Sequence, residues 1–226
     1  MRKLDWKALG QFNSVFLGLF ALVRETLAKI GVGIEIVEWL AGDGRKVFIE
    51  EFLAPLGQKF LATQRWKFVN ATTIMVNLGL LPRLPFDTAT VEWHHGEGWV
   101  RVQKRKDGLY VNGRKVILYL SERQKDGKTL KGNELRDELT GKPVLNANLL
   151  DALYENTHLI PEDWKLDVSG NMLVIYFWDS GFRGPGTDDL CVRYLCFSDG
   201  SWGRYYHWLG SGWGGHGPAA LLASKS

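Results

Sequence analysis

The chain has 226 residues, 45% hydrophobic and 23% charged, with a formal net charge of +3. That is apolar material for one large core or two small ones, while so mild and interleaved a charge gives no electrostatic case for a nucleic-acid surface. Ten tryptophans exceed what such a core needs, which directs attention to where they cluster.

Residues 1–85 read as mostly helical. Phe12, Val15, Phe16, Leu19, Phe20, Val23, Leu27 and Ile30 keep a helical stripe that Gly31 closes as a C-cap. The apolar run within it, 15–23, is about half of what a membrane span needs. Arg2 and Lys3 give a basic start, but Asp5 and Lys7 interrupt it and no small-residue cleavage site precedes Arg24. The expectation is a soluble chain without a transmembrane segment, cytoplasmic in preference to exported. A short helix over 34–41 and another over 46–62, begun or kinked at Pro55, complete this part. Pro82 and Pro85 mark a hinge.

From Ala89 onward short alternating runs take over. Strands are predicted over 90–93, 99–104, 109–111 and 115–120, the last two joined by Asn112-Gly113, a strong hairpin signal. Helices follow over 133–139, ending at Gly141, and over 146–156 with Asn146 as N-cap. Pro161 opens a short turn, and strands return over 172–178 and 190–197. Cys191 and Cys196 fall on opposite faces of that last strand, too far apart for a disulfide, and read as buried free thiols. The expected fold class is α+β, with a helical region over 1–85 and a ligand-binding domain over 86–226.

The final stretch is different. Trp202, Tyr206, Trp208, Leu209 and Trp213 form a frame of large side chains, and 218–223 reads as a closing apolar strand. Between them stand Gly203, Arg204, Tyr205, His207, Gly210, Ser211, Gly212, Gly214, Gly215, His216 and Gly217. That composition is close to a paratope's, where Tyr supplies contact area at low entropic cost and Ser and Gly adapt.

On these residues the segment 202–217 resembles the variable region of diversity-generating retroelement target proteins of small-genome bacteria and archaea. In that family a reverse transcriptase copies a template while randomising adenines. An AAC codon altered at its adenines yields Gly, Tyr, His or Ser, and GAC yields Gly; Arg204 is reached from a Ser or Asn codon. Lys, Glu, Gln, Met or Trp at these slots would break the pattern, and none occurs. Upstream stretches at 107–115, 119–122, 132–136, 142–148, 158–164 and 190–195 are similar to the same subgroup. Asp199-Gly200-Ser201-Trp202 stands where other lectin-type members carry Gly-Gly-Ser-Trp. The resemblance implies a C-type-lectin-like fold of the formylglycine-generating-enzyme branch, in which the eleven slots bind a protein or surface ligand and the frame holds them.

Competing constellations are weaker. His94, His95, Glu97, His207 and His216 supply zinc-type ligands, but adjacent histidines on a strand face opposite ways. Asp179, Asp188 and Asp189 border a Gly-rich loop and offer calcium-type oxygens, or are solvated turn residues. The expectation is therefore no metal, no cofactor and no catalytic residue. The alternative is an enzyme or carbohydrate-binding module whose Trp208 and Trp213 line a groove and stack sugars.

Overall fold

The computed structural model describes residues 64–186 and 189–224, together with 29, 31, 39, 42, 44–53 and 55. The chain divides into two compact units, Met1–Ala62 and Thr63–Ser226. In the first, a single-turn helix α1 (Gly44–Val47) runs into a wider π-type turn, Phe48–Leu53. The stripe expected over 12–30 and nearly all of the helix expected over 34–41 lie outside the described residues.

The second unit is dominated by strands. Trp66–Asn70 (β1) and Thr73–Asn77 (β2) form a hairpin inside the stretch expected to be helical. Thr90–His94 (β3), Trp99–Arg105 (β4), Gly108–Val111 (β5) and Arg114–Tyr119 (β6) follow. Leu130–Lys131 (β7) leads into helix α2 (Gly132–Leu139), and α3 (Ala147–Glu155) comes next. Val174–Arg183 (β8), Leu190–Ser198 (β9), Ser201–Trp208 (β10), Gly212–Trp213 (β11) and Ala219–Leu222 (β12) complete the unit. One curled sheet runs in the order β1-β2-β4-β5-β6-β12-β8-β9-β10, with β3 beside β8 and β11 paired separately with β7.

This overturns the α+β, lectin-like expectation. Among the described residues helices are few and short, and in the second unit α2 and α3 pack onto one large sheet. The physical reason is long-range pairing: β12, the last strand, inserts between β6 and β8, antiparallel to one and parallel to the other.

Two layers cover the sheet. On one face Leu149, Leu150 and Leu153 of α3 pack with Val102, Ile175, Phe177, Leu195 and Ala220. Asn146 fixes the start of α3, its side-chain oxygen accepting the N–H groups of Asn148 and Leu149. On the other face Leu135 and Leu139 of α2 pack with Tyr176, Val192, Leu209, Trp213 and Leu221. Alternation along β12 serves both: Ala219 and Leu221 join one cluster, Ala220 the other. Among the described residues no helix is long and apolar enough to cross a membrane.

Candidate functional site

The Gly-rich stretch begins as a regular strand. Asp199 and Gly200, at φ 51° and 78°, make a two-residue turn of the kind that joins antiparallel strands, and Ser201 pairs with Ser198 beyond it. From there β10 keeps an unbroken register to Trp208, opposite Cys191.

Period-two alternation then sorts the side chains. Trp202, Arg204, Tyr206 and Trp208 fall on the α3 face. Trp202 meets Phe197 edge-on at 5.4 Å, and Tyr206 and Trp208 lie 5.0 and 6.0 Å from Phe86. Arg204 joins this set. Its Nη1 lies 2.6 Å from Oδ1 of Asp151, and its guanidinium sits over the Tyr154 ring at 4.6 Å. Expected among the ligand contacts, Arg204 is instead turned inward onto α3.

Gly203, Tyr205 and His207 fall on the opposite face. Tyr205 is 52% exposed. Its ring lies 5.7 Å from Tyr194, which lies 5.2 Å edge-on from buried Tyr176. His207 packs edge-on against Trp213 at 4.8 Å. Burial, with Tyr194 and Cys196 nearby, pushes the Tyr176 hydroxyl far above its ordinary range, so it stays neutral.

Beyond Trp208 the chain turns through buried Leu209 to Trp213, which is 2% exposed and lies 4.2 Å from Tyr176 and 4.8 Å from Trp178. With that burial Trp213 has no face left to stack a sugar. Trp208 is half-buried against Phe86 and Tyr206. Trp202, by contrast, lines an open groove of about 620 Å³ with Tyr154 and Phe197 on the α3 face.

The loop is held by its main chain. Gly132 N–H donates to the Leu209 carbonyl at 2.9 Å, and Lys131 Nζ to that of Gly210 at 3.0 Å. Gln124 Nε2 donates to the carbonyls of Gly214 and Gly217, at 3.1 and 3.3 Å. Gln124 is itself fixed by a capping box with Ser121, whose hydroxyl donates to Glu138 at 2.8 Å. Val174 N–H donates to His216 and Tyr176 N–H to Pro218. Such bonds hold a path without specifying side chains. At the rim His216 Nδ1 lies 2.9 Å from Asp167 Oδ2. Backbone N–H groups of Asn171 and Ser169, with the Asn171 amide, lower the Asp167 carboxyl to about 2.

The six glycines divide. None has a left-handed φ, whereas ten of the other described glycines do. A Cβ on Gly210 would meet nothing within 4 Å, and on Gly212 or Gly214 only ordinary contact with Thr129. On Gly203 its nearest neighbour would be the movable Tyr205 ring, at 2.5 Å; on Gly215 it would come 3.2 Å from the Gln124 carbonyl oxygen. Buried Gly217 is different, because its Cβ would press on the packed Tyr176 ring at 2.9 Å. Ser211, half-buried, donates its N–H to Trp208.

The other constellations disperse. His94 Nδ1 lies 2.6 Å from Ser180 Oγ and His95 Nδ1 2.9 Å from Asp179 Oδ1. Among the described residues no group of three or more His, Cys, Asp or Glu is placed to hold a metal. Asp188 lies outside the described residues. Cys191 and Cys196 are free and buried, and burial pushes the Cys191 thiol up to about 12, away from nucleophilic use.

No family model, curated protein or solved structure matches the chain.

Proposed function

We propose that this chain is a ligand-binding display protein, not an enzyme, whose outward surface is diversified by retroelement adenine mutagenesis. Gly203, Tyr205, His207, Gly210, Ser211, Gly212, Gly214 and His216 form the variable surface; Gly215 borders it. Trp202, Tyr206, Trp208, Leu209 and Trp213 hold it, and Arg204 and Gly217 belong with them. The ligand is a protein or surface structure, met by Tyr205 and His207 over a floor hollowed by glycine.

One observation carries this reading: none of the segment's six glycines has a left-handed φ, and three of them, Gly210, Gly212 and Gly214, open into free space or ordinary contact. A glycine kept for geometry takes a left-handed φ or a close approach. Gly210, Gly212 and Gly214 meet neither condition, which fits residues drawn by mutation onto a path set by main-chain bonds.

The test is a surface-displayed library randomised at those eight variable positions, scored for protease resistance. Most members keep the parent's resistance under the proposal, while a matched library at Trp202, Trp208, Leu209 and Trp213 loses it. Equal loss from both libraries would reject the division.

A further inference from the structure

β10 ends the sheet, and its register fixes which backbone groups lie on the open edge. The Leu209 N–H bonds the Leu190 carbonyl at 2.7 Å, one step past the Trp208–Cys191 pair. In an antiparallel ladder a residue's N–H and C=O point to the same side, and the side alternates. Odd-numbered residues of β10 therefore bond β9, while Trp202, Arg204 and Tyr206 aim both groups outward. Trp208 adds its N–H; its carbonyl already accepts from Ser211. Among the described residues no backbone partner meets the outward groups of Trp202, Arg204 and Tyr206.

Sheets guard such an edge with a bulge, a proline or an exposed charge. The opposite edge strand, β1, has a register shift between Phe68 and Asn70 and carries Lys67. β10 has an unbroken register, no proline and no lysine. Its single arginine is turned onto Asp151 and the Tyr154 ring, away from the open edge.

We propose that β10 binds an extended segment of a partner polypeptide as an added strand. Same-side donor and acceptor groups recurring every ~6.8 Å along β10 match an extended backbone. The partner's main chain bonds Trp202, Arg204 and Tyr206, and every second one of its side chains lies beside Gly203, Tyr205 and His207 on the outward face. Main-chain bonds supply affinity common to every variant of the surface, and the side chains supply specificity. Only this second, side-chain part rests on the diversified-surface reading.

The probe is a phage library of random linear peptides panned on the whole chain, with a disulfide-looped library alongside. Residue-resolved amide exchange of the free chain comes first: Gly203, Tyr205 and His207 exchange slowly, and Arg204 and Tyr206 fast. A selected linear peptide then slows Arg204 and Tyr206 about tenfold or more, corresponding to at least 1.4 kcal/mol of protection. Tyr206→Pro, which removes an outward N–H, weakens binding about tenfold beyond Tyr206→Ala, which removes only the ring. The proposal is overturned if no linear peptide is selected, if looped peptides bind as well, or if the even-numbered amides stay unprotected. If binding then still depends on Tyr205 and His207, the diversified surface survives without strand addition. Protection of Arg204 and Tyr206 with no dependence on Tyr205 or His207 keeps strand addition and rejects the other reading.

Discussion

Arg204 and Asp151 form an ion pair at 2.6 Å in which the carboxylate side chain is 2% exposed. The same carboxylate accepts from both Nη atoms of Arg193, at 2.7 and 3.0 Å, so one acid joins β9, β10 and α3. Arg204→Ala leaves Asp151 paired to Arg193 and costs about 1–2 kcal/mol, whereas Asp151→Ala strands buried Arg193 and costs about 3–5 kcal/mol. Urea denaturation of the two variants checks the order. A neutral Arg204→Ala would return that residue to the binding surface.

Glycine positions within the same loop respond differently. Gly217→Ala drives a methyl into the Tyr176 ring and costs about 1–3 kcal/mol by overpacking. Gly210→Ala stays within about 0.5 kcal/mol of the parent, with any gain coming from a less flexible unfolded chain. Thermal denaturation distinguishes the pair.

Frame and surface aromatics separate in the same way. Trp213→Ala empties the space between Tyr176, Trp178 and His207 and costs about 3–5 kcal/mol. Tyr205→Ala removes a half-exposed ring that touches Tyr194 and costs less than about 1 kcal/mol. Comparable losses in an unfolding titration would contradict the assignment.

Acid weakens the fold through His94. Burial holds its imidazole below the ordinary 6.5, against the pull of the Leu78 carbonyl. In mildly acidic solution the unfolded chain therefore binds a proton that the native chain refuses. The contribution is complete above pH 6.5 and declines as pH falls from there toward the lowered native value. His94→Gln flattens that part of a pH series of urea midpoints. The Asp167 contribution is lost separately and lower, as pH falls from its ordinary 3.8 toward about 2.

Much of the second unit was legible from local signals. Asn112-Gly113 makes the hairpin turn with both residues at positive φ, and Asn146 caps α3 with its side chain. Both effects are contained within a few residues. The sheet order was not legible, because inserting β12 between β6 and β8 is decided by pairing far along the chain. β1 and β2 were read as part of a helical region, although Thr73, Ile74 and Val76 are β-branched residues suited to a strand. In β10 the run of glycine and aromatic residues masked the alternation. A signal was present: Asp199-Gly200 marks a turn, and Trp202, Tyr206 and Trp208 share one parity. Extending that parity places Arg204 among the anchors before any coordinate is known. Gly217 gave no such sign, since its constraint comes from Tyr176 on another strand.

The most direct test of a diversified surface is the DNA around the locus. The account predicts a nearby near-copy of the segment encoding residues 202–217, beside a reverse-transcriptase gene. The two copies should differ only where the near-copy has adenine, and chiefly at codons for Gly203, Tyr205, His207, Gly210, Ser211, Gly212, Gly214 and His216. Absence of that copy, or differences spread over the codons of Trp202, Trp208, Leu209 and Trp213, would contradict it.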